Sequence, residues 1–192
     1  MKKFHAVLAL SLGLIALPSH AEVLDVNISS NAVAGDFSGP VARVLPGTVG
    51  QYDFGLISRP HHDNGLFQAH GGLLLTGDAG AQSLDLTVGL GARLIYTSVA
   101  HERGGAVAPG AQFEARLPQF NRLGLSGYTY YAPRITTIHS LNRYWENALS
   151  LEYEVIRGGN LYVGYRNVHV NVDNAGSFSA DNGFHAGFRL KF

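Results

Sequence analysis

"SLDLTVGLGARLIYT" runs from Ser83 to Thr97. Leu84, Leu86, Val88, Leu90, Ala92, Leu94 and Tyr96 share one parity, while Asp85, Thr87, Gly89, Gly91, Arg93 and Ile95 share the other. Side chains alternate across a strand, so the first set forms one wholly apolar face. That face extends from Leu84 to Tyr96, well beyond the five or six residues usual for a strand in a soluble domain. Its length and cleanness point to a strand with lipid on one side.

The same alternation recurs outward from this stretch. In "AQFEARL", Ala111, Phe113, Ala115 and Leu117 oppose Gln112, Glu114 and Arg116. In "YWENALSLEYEV", Trp145, Leu149, Leu151, Tyr153 and Val155 oppose Glu146, Ala148, Ser150, Glu152 and Glu154, with Asn147 the exception on the apolar side. The last ten residues, "GFHAGFRLKF", put Phe184, Ala186, Phe188, Leu190 and Phe192 against His185, Gly187, Arg189 and Lys191. Between such segments lie short turn signals, "GDAG" at Gly77–Gly80, "PQFN" at Pro118–Asn121 and "RGGN" at Arg157–Asn160. They alternate with longer polar, glycine-rich connections at Ser98–Pro109, Ala132–Arg143 and Asp173–Asn182. Tight turns on one side and longer loops on the other are the pattern of an outer-membrane β-barrel, periplasmic side and extracellular side respectively. Backbone polar groups cannot be left unpaired in hydrocarbon, so the sheet must close and the last strand must pair with the first.

Eight strands are expected near Gly50–Ser58, Leu66–Leu75, Ser83–Thr97, Gly110–Leu117, Arg122–Tyr131, Tyr144–Ile156, Asn160–Val172 and Gly183–Phe192. The stretch before them also alternates, Leu24, Val26 and Ile28 against Asp25, Asn27 and Ser29, and Ser30 and Asn31 can turn it toward a partner at Ala32–Ser38. Single-chain bacterial barrels have even strand numbers, so eight or ten strands result, with ten favoured. On this topology Tyr96, Tyr131, Trp145 and Phe184 gather at the outer rim and Tyr52, Tyr153 and Phe192 at the inner one, as aromatic girdles do. A soluble exported sandwich or lipocalin-like barrel shares the strand spacing but does not call for an apolar face as long as Leu84 to Tyr96.

The other end of the chain fits export. Lys2 and Lys3 precede the 12-residue apolar run "AVLALSLGLIAL" (Ala6–Leu17), and "PSHA" follows before Glu22. That order is a secretory signal peptide, residues 1–21, with cleavage expected after Ala21. The run is too short to cross a bilayer as a helix. Residues 22–192 then make one barrel domain destined for the cell outer membrane. Without Lys2 and Lys3 the chain has 12 Lys+Arg against 14 Asp+Glu, which does not suit nucleic-acid binding. There is no cysteine, so disulfides cannot hold the fold.

Several stretches look familiar. "VGLGARLIYT" (Val88–Thr97), "YTYYAP" (Tyr128–Pro133), "VGYR" (Val163–Arg166) and the ending "DNGFHAGFRLKF" from Asp181 resemble the YfaZ family of gammaproteobacterial outer-membrane proteins. The resemblance spans most of residues 22–192 and implies a barrel, but no reaction. The ending also resembles the C-terminal signal read by the barrel-assembly machinery, carried here by Phe184, Phe188, Leu190 and Phe192.

With apolar faces outward, the lumen should receive Asp85, Glu114, Glu146, Glu152 and Glu154 against Arg93, Arg116, Arg166, Arg189 and Lys191. A narrow interior cannot hold unpaired charges cheaply, so this balanced set predicts an ion-paired plug, with Gly89, Gly91, Gly164 and Gly187 making room for the arginines. The expected role is structural or surface-exposed. A narrow porin is the first alternative and a lipid-modifying enzyme the second. For the enzyme, His139 and Ser140 with Glu146 nearby are the only candidates; sequence neighbours on a strand face opposite ways, and no G-x-S-x-G elbow occurs, so no catalytic residue is assigned. His61, His62 and Asp63 carry metal-binding chemistry, but adjacent histidines point apart and no second cluster appears, so no metal or cofactor is expected. Expected partners are outer-membrane lipids, including lipopolysaccharide, and the assembly machinery; the barrel is expected to be a monomer.

Overall fold

The structure, a computed structural model, describes residues 22–59, 65–80, 84–99, 102–173 and 176–192. The segment expected to be a signal peptide and the His61, His62 and Asp63 group lie outside the described residues. Ten long strands close into one antiparallel barrel. They are β1 (Val23–Ser29), β2 (Val33–Pro40), β3 (Gln51–Arg59), β4 (Leu66–Asp78), β5 (Asp85–Val99), β6 (Glu102–Arg116), β7 (Leu123–Ala132), β9 (Leu141–Ile156), β10 (Gly159–Val172) and β11 (Gly176–Lys191). A three-residue strand, β8 (Thr137–His139), extends the wall beside β6 beyond the point where β7 ends. No helix among the described residues is long and apolar enough to cross a membrane, which says nothing about crossing by strands.

Each of the ten pairs with the next of the ten, β7 with β9, and β1 pairs with β11 to close the ring, Val23 opposite Lys191 and Ser29 opposite His185. The closure continues past the ladder, because Glu22 and Phe192 exchange both backbone hydrogen bonds at 2.9 Å. The expected N-terminal hairpin therefore exists and gives the larger of the two strand numbers. Its turn is tight: the Ser29 hydroxyl accepts from the Ala32 N–H at 3.0 Å, and the Ser29 N–H donates to the Ala32 carbonyl. The β9–β10 connection is only Arg157 and Gly158, where Gly158 takes φ 78°, a conformation glycine adopts without penalty. Hereafter the end of the barrel that carries Glu22 and Phe192 is the terminal end, and the other the far end.

The three polar connections expected to be long loops do lie at the far end, but most of their length is strand. Residues 102–109 belong to β6, 176–182 to β11, and Ala132–Arg143 holds a 3-10 turn (Arg134–Thr136), β8 and the start of β9. The glycines and polar residues that suggested loops continue the backbone ladders instead, with Ser98 opposite Arg103 and Asn171 opposite Ser177. Conversely, the terminal end carries a ten-residue connection between β2 and β3, residues 41–50, opened by the 3-10 turn Val41–Arg43. Glu22 holds it, accepting from Arg43 and from the Tyr52 hydroxyl.

A belt of outward apolar side chains circles the barrel. Leu90, Leu94 and Tyr96 on β5, Leu149, Leu151 and Tyr153 on β9 and Leu161, Val163 and Tyr165 on β10 are all more than two-fifths exposed, and Phe184 on β11 is 80% exposed. Asn147, the misfit on this belt, has a partner row. Thr129 donates to it at 2.7 Å, it lies opposite Asn167, and Asn167 donates to Asn182 at 3.1 Å. The polar groups thus pair between β7 and β9 and between β10 and β11.

Candidate functional site

The lumen is the place where chemistry gathers, and the parity of each strand decides what reaches it. In the terminal half the inward positions are mostly polar, with Leu74 the buried apolar exception. Arg189 on β11 donates from Nε to Asp25 of β1 at 2.8 Å and from Nη1 to Glu152 of β9. The Tyr162 hydroxyl donates to the same Asp25, and the Arg189 guanidinium lies 5.2 Å from the Tyr162 ring centre. Arg116 on β6 reaches Glu114 at 3.1 Å and stands 3.6 Å from both Glu152 and Glu154; Lys191 meets Glu114 at 2.7 Å. Charges from β1, β6, β9 and β11 are thereby joined in one chain across the lumen.

A second group forms around Arg93 of β5, which is 6% exposed. Its Nε donates to Asp53 of β3 at 2.6 Å, its Nη1 stands 3.6 Å from Glu146 of β9, and its guanidinium lies 4.0 Å and 5.1 Å from the ring centres of Tyr130 and Tyr128. Glu146, 1% exposed, also accepts from the hydroxyls of Tyr128 and Tyr144. His70 of β4 holds Nε2 3.3 Å from Asp36 and 3.4 Å from Asp53. Between the two groups, Arg166 pairs with Asp181 at 2.7 Å, and Ser29 donates to Asp181 at 2.9 Å.

In the far half the inward face changes character. Ile57, Leu66, Ile95, Val99, Ala106, Ala108, Tyr130, Leu141, Tyr144, Val168, Val170 and Val172 converge there in one buried apolar cluster. The switch is plain on β10, where Leu161, Val163 and Tyr165 point outward, but beyond Arg166 the apolar residues point inward and Asn167, His169 and Asn171 outward. On β11 a bulge at Ala180, where the register shifts between Val168 and His169, brings Ala180 and Asp181 both inside. The lumen therefore holds an ion-paired floor beneath a mainly apolar cap, in which Gln68, donating to Tyr144, and Thr97 are also buried.

Of the charges expected inside, Arg93, Glu114, Arg116, Glu146, Glu152, Glu154, Arg166, Arg189 and Lys191 all take part in these contacts. Asp85 does not: it sits exposed at the terminal rim and makes no ion pair with a described residue. Five-against-five balance is also corrected, because Asp25, Asp36, Asp53 and Asp181 add carboxylates that were not counted, with His70 beside two of them. Their inward parity was visible for Asp25 and Asp53, each flanked by apolar neighbours; on β2 the outward glycines Gly35 and Gly39 hide the phase of Asp36. The glycines serve other neighbours than expected. A Cβ at Gly187 would come within 2.5 Å of Tyr162, at Gly164 within 2.4 Å of Ser150, and at Gly89 within 3.0 Å of Gln112, while Gly91 faces the Leu73 carbonyl. The glycine that admits Arg93 is Gly72, with 2.8 Å to its Cγ.

Gly187→Val should accordingly cost about 1–3 kcal/mol by overpacking against Tyr162 and Asn27. Gly77→Val, where nothing lies within 4 Å of the added Cβ, should leave the urea midpoint of the detergent-folded barrel within error of the parent.

Tyr96, Tyr131, Trp145 and Tyr153 all point outward and are about half exposed. Ser140 donates to Glu102, not to His139, which stands exposed on the β8–β9 turn at φ 59°. No group of three or more His, Cys, Asp or Glu among the described residues is arranged to hold a metal ion.

Comparison with known proteins agrees with the resemblance noted above: the family model described as YfaZ precursor matches residues 1–192. No curated protein matches the chain. A solved structure from work on the in-meso crystallization of membrane proteins aligns over 90% of this chain and 83% of its own, at 11% identity and a TM-score of 0.39. At that distance the likeness bears on neither fold detail nor function.

Proposed function

The chain belongs to the YfaZ family, and from that premise we propose that it is an integral outer-membrane barrel of the Gram-negative envelope, exported with cleavage after Ala21, whose lumen is closed. Its role is then structural or at the cell surface, with the terminal end in the periplasm and the far end outside. The outward apolar runs on β5 (Leu86 to Tyr96) and β9 (Trp145 to Val155) match the 9–11 residues a tilted strand needs to cross hydrocarbon. Outward Tyr96, Tyr131 and Trp145 suit the outer interface, and Phe184, Phe188, Leu190 and Phe192 form the strand that the assembly machinery would receive.

The observation that carries the closed-lumen reading is the apolar cap. A lumen filled across its width by packed side chains leaves no aqueous path. Here Tyr130, Tyr144, Val168 and Val170 are each 0% exposed, as in a packed core. Water that passed the ion pairs would meet a dry layer. In a planar bilayer the refolded chain is expected to insert without conductance steps. Reproducible discrete steps would overturn this reading and favour a narrow porin.

A further inference from the structure

Most lumen-facing bases are engaged, but three arginines at the far end are not. Arg103 on β6, Arg134 on the segment between β7 and β8, and Arg143 on β9 are all exposed, and none donates to a described residue. The chain brings them together. β8 pairs with β6, Gly105 opposite Ile138, and the Ser140 N–H donates to the Arg103 carbonyl. The start of β9 lies directly against β6, since a Cβ on Gly104 would meet the Leu141 backbone N at 2.8 Å, so Arg103, next to Gly104, and Arg143, two residues after Leu141, stand at adjoining strand ends. The outward positions of β5, β6, β7, β8, β9 and β10 carry no carboxylate. Two acids border this end: Glu102 accepts from the Ser140 hydroxyl, and Asp173 donates its N–H to the Ser140 carbonyl.

The surface around these cations is apolar. Ile135 is 89% exposed and Ile138 61%, and below them the wall continues through Val107, Tyr96, Tyr131 and Trp145 into the outward belt. A soluble anion would pair with the arginines but leave the isoleucines in water. A lipid with a phosphorylated headgroup satisfies both, its phosphates at the guanidinium groups and its chains along the belt.

We propose that Arg103, Arg134 and Arg143 form a binding site on the outer wall of β6, β8 and β9 for the phosphorylated glycolipid of the outer leaflet. This rests on the outer-membrane reading above, and gives that surface a specific ligand. The guanidinium groups hold the phosphates, and Ile135 and Ile138 pack against the proximal acyl or sugar surface.

The test uses the mature chain, residues 22–192, in phosphatidylcholine nanodiscs doped with diphosphoryl lipid A, with retained lipid counted by native mass spectrometry. The combined R103Q, R134Q and R143Q variant should lose about tenfold in affinity, equivalent to roughly 1.4 kcal/mol. R122Q with R157Q, which removes two exposed arginines at the terminal end, should bind like the parent. R134Q alone alters no strand of the ten-strand ring, and should show a partial loss if the triple variant folds poorly. Undiminished binding in the triple variant and in R134Q, or equal binding of dephosphorylated lipid A, would overturn the proposal. Carbonate extraction of cells separates this from the broader reading: release of the chain would remove the outer leaflet as the source of the ligand, whereas a retained chain that binds no lipid A would sink the site alone.

Discussion

Replacing Arg93 with alanine is expected to lower the unfolding free energy by about 3–5 kcal/mol, the cost of leaving buried carboxylates without their cation. Arg93 is the one side chain that touches Asp53, Glu146, Tyr128 and Tyr130 together. Removing it leaves Glu146, 1% exposed, with two tyrosine hydroxyls and no positive partner. Urea unfolding in detergent, followed by the gel-mobility shift between folded and unfolded barrel, reads the loss. Adding Glu146→Gln to Arg93→Ala should recover part of it, since the amide still accepts from Tyr128 or Tyr144 and carries no charge to desolvate. If Arg93→Ala alone shifts the midpoint no more than an exposed change such as Arg157→Ala, the charged floor is not what holds the wall together.

Arg93 also marks how far the residues alone could be followed. "SLDLTVGLGARLIYT" gave its parity, and with it the inward direction of the guanidinium, because every outward neighbour is apolar. What it meets was not readable, since Asp53, Glu146 and Tyr130 come from β3, β9 and β7, and pairing across a lumen depends on strand tilt and stagger rather than on local pattern. Parity likewise found Glu114, Arg116, Glu152 and Arg189, but Asp36 lies on a strand whose glycines blur the alternation. The far-end hairpins misled for a related reason. Glycine and polar residues in "HERGGAVAPG" suggested a loop, although Gly104, Ala106, Ala108 and Gly110 are an inward row of small residues, Gly104 admitting Leu141 and Gly110 admitting Tyr130. Small residues at close approaches and turn residues at loops use the same letters.

The phase switch on β10 was present in the letters and yields the second large effect. Leu161, Val163 and Tyr165 have odd numbers and face out; Val168, Val170 and Val172 have even numbers and face in, with no bulge opposite β9 until Asn171. A strand that keeps its register but exchanges its apolar face has left one apolar medium outside it and gained another inside it. Arginine placed singly at each position should therefore trace the boundary. At Val163, in the outward belt, it should cost about 2–4 kcal/mol, the range for a basic residue facing the bilayer interior. At Val170, 0% exposed in the cap, the cost should be at least as large, because the charge is buried without a partner. At His169 and Asn171, between those sensitive positions and facing outward, it should be within about 0.5 kcal/mol of the parent, as for ordinary surface changes. Folding yields into lipid vesicles would show this as two sensitive runs of opposite parity meeting at Arg166. If the odd positions stayed sensitive through Asn171, the belt would extend to the end of the strand, and the cap would not be the upper, water-facing half of the barrel.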